Sequence, residues 1–313
     1  MTSPIEIIQL VAYDGPNILS PSPGVMLLVR SDHHRGNRMR TAIKDAAQFI
    51  GLVLANLDVI TETNAEGVLM TATFDTAMPG IGAALCAYVV TGMNHEALGD
   101  EEWDRNAPLY TLQARRRREA LPVAILQLMA EAYQRGLPTF MREDGSLQIG
   151  YGAKGWHIDP EQLAGSGGNP PPVPWDDLGV VTVIAVTGEE QRAATVSHLV
   201  TAYQSMARHV VSHAAATFDK ARRLLADPSA EVVILGLATS DLVRRGLPFD
   251  RCELAFITDR AGPRPPEAAN DEAWVRALGL PMLLSPQPVR LNLTDPGLQA
   301  LVPYAPNGVL ALS

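Results

Sequence analysis

Residues 181–200, VTVIAVTGEEQRAATVSHLV, constrain the fold more tightly than any other stretch of the chain. Val181, Val183, Ile184, Ala185 and Val186 form a short, uncharged, mostly β-branched run, suited to a buried parallel strand rather than to a helix. Thr187 and Gly188 interrupt it, and residues 193–200 read as the opening turns of a helix. Strand, glycine turn and helix are the frame of a phosphate-binding loop, G-x-x-x-x-G-K-[ST] or its shorter G-x-x-G-K-[ST] form. The chemistry of that motif is missing. Gln191 stands in place of the second glycine, Arg192 in place of the lysine, and Ala193 in place of the hydroxyl that would hold Mg²⁺. Glu189 and Glu190 add negative charge where a polyphosphate would lie, and at roughly 4 Å a screened carboxylate repels by about 1–4 kcal/mol. No nucleotide, and so no cofactor, is expected at Thr187, Gly188, Gln191, Arg192 and Ala193.

The chain around this loop has 313 residues, 47% hydrophobic and 19% charged, enough for two domains with sizeable cores. A net charge of −9 argues against a nucleic-acid or anionic-membrane surface as main partner. Cys86 and Cys252 both sit in apolar runs and read as buried thiols of a reducing compartment. Neither a leader-like start nor a membrane-length apolar run is found, so the expected location is the cytoplasm.

The first half reads as an α+β domain, residues 1–158. Strands are expected over 5–12, 24–30, 67–74 and 147–151, and helices over 41–57, 79–90 and 110–135. The sequence GSGGNPPPVPW lies in a Pro/Gly-rich linker placed at 159–177. Residues 178–313 then alternate: strands at 181–186, 231–237, 253–258 and 281–284, helices at 193–207, 215–226 and 271–278. That alternation predicts a parallel α/β sheet.

Several short motifs occur in a fixed order along the chain. Gly15-Pro16-Asn17 and the run Leu147 to Gly152 lie in the first half. Ala221-Arg222 with Asp227-Pro228, the run Arg244 to Cys252 of form R-x-G-L-x-F-D-R-C, and Leu291-Asn292 with Asp295-Pro296 lie in the second. In these pieces and their order the chain resembles cyanophycin synthetase, its N-terminal domain in the first half and its Mur-ligase-type domain in the second. The resemblance implies a P-loop-like central domain of Mur-ligase type. It also marks departures: the ATP-grasp domain between the halves is absent, and Gly236 stands where the family carries a metal-binding glutamate. Gly80, Ala83, Ala84 and Tyr88 replace the ligands of its peptidase-like helix. The expectation is therefore a pseudoenzyme, a binding, scaffolding or regulatory protein whose partner is an active ligase or a peptide-like substrate or product. A homo-oligomer is compatible with this.

Two alternatives stand beside it. Asp32, His33 and His34 are the densest cluster of potential ligands and would suit a metal-dependent hydrolase working without ATP. Asn94-His95-Glu96 would have to complete such a site. Otherwise, Gly188 and Arg192 would retain a weak site for a small acidic metabolite. Gly150, Tyr151, Gly152 and Lys154, with Trp156, are candidates for a peptide-binding edge, against the plainer reading of a tight closing turn. The run Arg115 to Arg118 is read as a solvated helix face.

Overall fold

Four strands with alternating apolar side chains open the computed structural model, which describes residues 4–65, 67–165 and 172–312. Contacts divide the chain into two compact units, residues 1–120 and 121–313. In the first unit β1 (Glu6–Tyr13), β2 (Gly24–Ser31), α1 (Gly36–Ile50), β3 (Ala55–Asn64), β4 (Gly67–Asp75), α2 (Pro79–Leu98) and α3 (Asn106–Glu119) follow one another. The strands form an antiparallel sheet of order β1-β2-β4-β3. Along β4, Val68, Met70, Ala72 and Phe74 are buried and the residues between them only half so, the period of two that one covered sheet face requires. Met39, Ile43 and Ile50 of α1 and Ile81, Leu85 and Val89 of α2 join these side chains in one core.

The motif Gly15-Pro16-Asn17 is structural. The buried Asn17 side chain donates to the carbonyls of Gly15 (3.1 Å) and Ser22 (2.9 Å) and accepts from the N–H groups of Leu19 and Ser20. Together with the Asn17 N–H bond to the Ser20 carbonyl (2.9 Å), it fixes the loop between β1 and β2.

Two expectations for this half need correction. The helix placed at 41–57 stops at Ile50, because Gly51 takes the left-handed conformation (φ 71°) that ends helices. The strand β3 follows, with Leu57, Val59 and Thr61 half-buried in alternation. The long helix placed at 110–135 is two helices, α3 and then α4 (Val123–Gln134). Pro122 lacks the N–H to continue a helix and restricts the residue before it, and the boundary between the units falls here.

The second unit continues with β5 (Thr139–Met141), β6 (Leu147–Ile149), β7 (Trp156–Ile158) and α5 (Pro160–Gly165). Ala124, Ile125 and Leu128 of α4 pack on Leu147, Ile149 and Ile158 of the small antiparallel sheet, and Val173, Trp175 and Leu178 close over the same cluster. The described flanks of the stretch expected as a linker, 159–177, are thus packed against this unit. Its central residues, 166–171, lie outside the described ones.

Then come β8 (Thr182–Thr187), α6 (Arg192–Ser205), β9 (Val210–Ala216), α7 (Phe218–Leu225), β10 (Val232–Leu237), α8 (Thr239–Arg245), β11 (Leu254–Ile257), α9 (Asp271–Gly279), β12 (Val289–Leu291), α10 (Pro296–Gln299) and β13 (Val309–Ala311). Six strands form a wholly parallel sheet of order β13-β12-β11-β8-β10-β9. Ile184 and Val186 of β8 and Val232 and Ile234 of β10 form its centre, with Val196 of α6 above them. The helix expected over 215–226 begins only at Phe218, after Thr217 caps it by accepting from the N–H of Lys220. The alanines before it belong to β9, where pairing with β10 overrides their helix preference. Residues 281–284 are no strand: Leu280–Leu283 is a 3-10 turn, and the strands that extend the sheet beyond β11 are β12 and β13.

Candidate functional site

β8 is the switch point of the parallel sheet. Chain connections leave it towards β10 and β9 on one side and β11, β12 and β13 on the other, and in such sheets the crevice beyond the strand ends is where ligands bind. The loop there is built as a phosphate cradle would be. Thr187 is fully buried, its hydroxyl donating to the carbonyl of Leu278 at 2.7 Å. Gly188 has φ 129°, a region closed to other residues, and a Cβ there would run into the Thr258 hydroxyl. α6 starts at Arg192, so the N–H groups of residues 189–191 converge on the crevice.

An anion is already there, and the chain supplies it. The carboxylate of Asp259, just beyond β11, accepts from the N–H groups of Glu189 (3.2 Å), Glu190 (3.0 Å) and Gln191 (2.8 Å). The Thr258 hydroxyl (2.8 Å) and the Ala261 N–H (3.1 Å) complete the set. Burial opposes ionisation of Asp259 more than any other single influence. The donors from Gln191, Glu190, Thr258 and Ala261 outweigh it together and hold the carboxyl below its ordinary range.

Arg192 does not point out to meet a ligand. Its Nε donates to the carbonyl of Ala214 (2.9 Å) and its Nη1 to those of Gly188 and Leu237 (3.0 Å), with Glu189 at 3.9 Å. Burial lowers its pKa below that of a free guanidinium, with Glu189 and Asp259 opposing. The side chain braces the loop against the ends of β9 and β10. The donors that a small acidic metabolite would need at Gly188 and Arg192 are engaged in these contacts. Gly236 is equally constrained: a Cβ at that position would collide with the backbone of Ala214 on β9, so a glutamate there would push two paired strands apart.

The other sequence candidates lie elsewhere. Asp32, His33 and His34 are exposed; His34 Nε2 is 3.2 Å from the Thr63 hydroxyl. Asn94 instead ties down Ile5 through both its amide groups, His95 pairs with Asp100 at 2.7 Å, and Glu96 is held by Arg38 at 2.8 Å. Among the described residues no three His, Cys, Asp or Glu side chains come together as a metal would need. Arg115 pairs with Glu119 one helical turn on (2.7 Å).

Gly150, Tyr151 and Gly152 form the tight turn rather than an exposed edge. Gly150 (φ 74°) and Gly152 (φ 61°) pass so close to the carbonyls of Gly179 and Ala230 that a side chain would meet them at 2.5 Å. Tyr151 is buried, and its hydroxyl donates to Asp250 Oδ1 at 2.9 Å. Burial and then the Asp250 charge push its phenol well above the usual range. Lys154 is exposed, and Trp156 packs in the small core. The R-x-G-L-x-F-D-R-C run is therefore a clamp: Gly246 (φ 79°) ends α8, Leu247, Phe249 and Cys252 are buried, and Asp250 receives Tyr151. Burial pushes the thiols of Cys86 and Cys252 up to about 12, which makes both inert at neutral pH.

Sequence reasoning missed Asp259 as the occupant of the loop. Its signal is slight: a Thr-Asp pair directly after a buried strand.

Fold and loop together define a mixed α/β protein, one sheet antiparallel and one parallel, with the crevice at the parallel switch point closed by its own side chains. The chain belongs to the family described as domain of unknown function (DUF4938), whose model matches residues 4–312. No curated protein matches it. Among the described residues no helix is long and apolar enough to cross a membrane.

Proposed function

We propose that this protein is a non-catalytic relative of cyanophycin synthetase that acts by binding, as a scaffold or regulator beside an active ligase or a peptide-like product. The motif order supports the relationship, and so does a parallel sheet that carries the altered loop after its first strand, as a Mur-ligase-type domain would. The observation that carries the functional reading is the Asp259 carboxylate on the three loop N–H groups where a phosphate would sit. A nucleotide would have to expel that carboxylate, free Arg192 from three carbonyls and approach Glu189 and Glu190. Two buried thiols fit a reducing cytoplasm.

Calorimetric titration with Mg²⁺-ATP, with phosphate release followed in parallel, tests the reading. Neither binding nor hydrolysis is expected. Saturable binding tighter than about 100 μM, roughly −5.5 kcal/mol, would overturn it.

A further inference from the structure

The second unit holds a cleft of about 570 Å³ between the β5–β6 hairpin and α7, within the size range of small-molecule sites. It shares no residue with the loop of residues 187–192, so what it binds is independent of what the loop does. Phe140 and Met141 supply apolar surface to its lining. Phe140 is buried, and the Arg222 guanidinium lies 5.5 Å over its ring and 4.4 Å over that of Phe218, a buried residue outside the cleft. Such stacking holds a charged group at a fixed place on an apolar floor.

The polar groups of the cleft carry both signs. Positions 219, 222, 223 and 227 share one side of α7 and its end, presenting Asp, Arg, Arg and Asp, and the hairpin faces them with Arg142, Glu143 and Asp144. Four of these seven charges have local partners: Asp219 with Arg245 (2.7 Å), Arg142 with Asp144 (3.6 Å), Asp144 also with Ser146 (2.5 Å), and Asp227 with Ser229 (2.6 Å). Arg223 and Glu143 reach each other across the cleft, at 3.6 Å, with side chains 61% and 55% exposed. An exposed pair at that distance contributes little and is readily exchanged for the charges of a ligand.

We infer that this cleft binds a zwitterionic peptide or amino-acid derivative. Its carboxylate replaces Glu143 on Arg223, its ammonium group replaces Arg223 on Glu143, and its apolar side chain lies against Phe140 and Met141. One long, exposed cross-cleft pair becomes two ligand pairs, which a ligand of single charge could not achieve.

The test is calorimetric titration of the full chain with the dipeptide Leu-Ala and with its N-acetylated, C-amidated form. Leu-Ala is expected to saturate below about 10 mM and the blocked form to bind about tenfold more weakly. This comparison needs no variant. Glu143→Gln should weaken Leu-Ala about three- to fivefold and leave N-acetyl-Leu-Ala unchanged. Arg223→Gln should weaken N-acetyl-Leu-Ala and leave Leu-Ala amide unchanged. Absence of saturation, equal binding of the blocked form, or indifference to both substitutions would overturn the assignment, whatever the outcome with ATP.

Discussion

Replacing Asp259 by alanine removes the acceptor of five donors at once. A hydrogen bond to a charged group contributes about 1.5–3 kcal/mol, and five at face value would rival the whole stability of a domain. The surroundings reduce that figure. Glu190 and Gln191 are exposed, so water reaches their N–H groups once the carboxylate is gone, and the Thr258 hydroxyl can turn its single proton to the carbonyl of Thr187, 3.0 Å away. Counting about 1–2 kcal/mol for each of the two donors that stay partly covered, the N–H groups of Glu189 and Ala261, leaves a loss of ~2–4 kcal/mol. For a unit of this size, residues 121–313, that corresponds to a melting temperature lower by about 5–15 °C. The vacated donors should then bind an external anion. Inorganic phosphate at ten to a hundred times its Kd would restore about 1.4–2.7 kcal/mol. Melting curves of the parent and of Asp259→Ala, in phosphate and in chloride of equal ionic strength, separate this from the general stabilisation that phosphate gives any fold. A variant melting within about 2 °C of the parent, or an equal phosphate response in both proteins, would refute the reasoning.

Other consequences follow from the same contacts. Because the Asp259 carboxyl lies below its ordinary range in the folded protein, its contribution is present above about pH 4 and is lost as pH falls through the folded value; acid melts of Asp259→Asn should be flatter than those of the parent there. Tyr151→Phe removes the hydrogen bond to Asp250 from a fully buried ring and should cost about 1 kcal/mol in chemical denaturation, with no loss of native signal. His33→Ala with His34→Ala changes two exposed side chains, so stability should stay within about 0.5 kcal/mol. Near-stoichiometric zinc in the parent, lost in that double variant by elemental analysis, would instead establish the metal site.

How much of this was legible in the sequence depended on how far apart the interacting residues lie. β8, its glycine and α6 were readable because strand, turn and helix are local patterns, and their bounds moved by one or two residues. The occupant of the loop was not, since Asp259 lies 68 to 70 residues from the N–H groups it accepts. The Arg223–Glu143 pair escaped for the same reason: it joins a hairpin to a helix that only the fold brings together. The strand β3 was legible and passed over. Gly51 marks the end of α1, and Leu57, Val59 and Thr61 alternate, but Leu57 also fits a helical spacing from Ile50 and Val53. β9 is harder. Its Ser-His-Ala-Ala-Ala has no strand-forming residue beyond Val210 and Val211, and only its register with β10 makes it extended.

Asp259 is tied to its loop by the chain, so a free anion meets a competitor that dilution cannot remove. Tethered groups act at effective concentrations of about a millimolar even through flexible linkers, and Asp259, at the end of a paired strand, is held far more narrowly. If the carboxylate fits the loop as well as a phosphate of micromolar affinity, that phosphate would bind roughly a thousandfold more weakly than to an empty loop. Swings in free phosphate or nucleotide in the micromolar range would then leave this corner of the molecule unchanged, a fixed strut rather than a gauge of metabolite level.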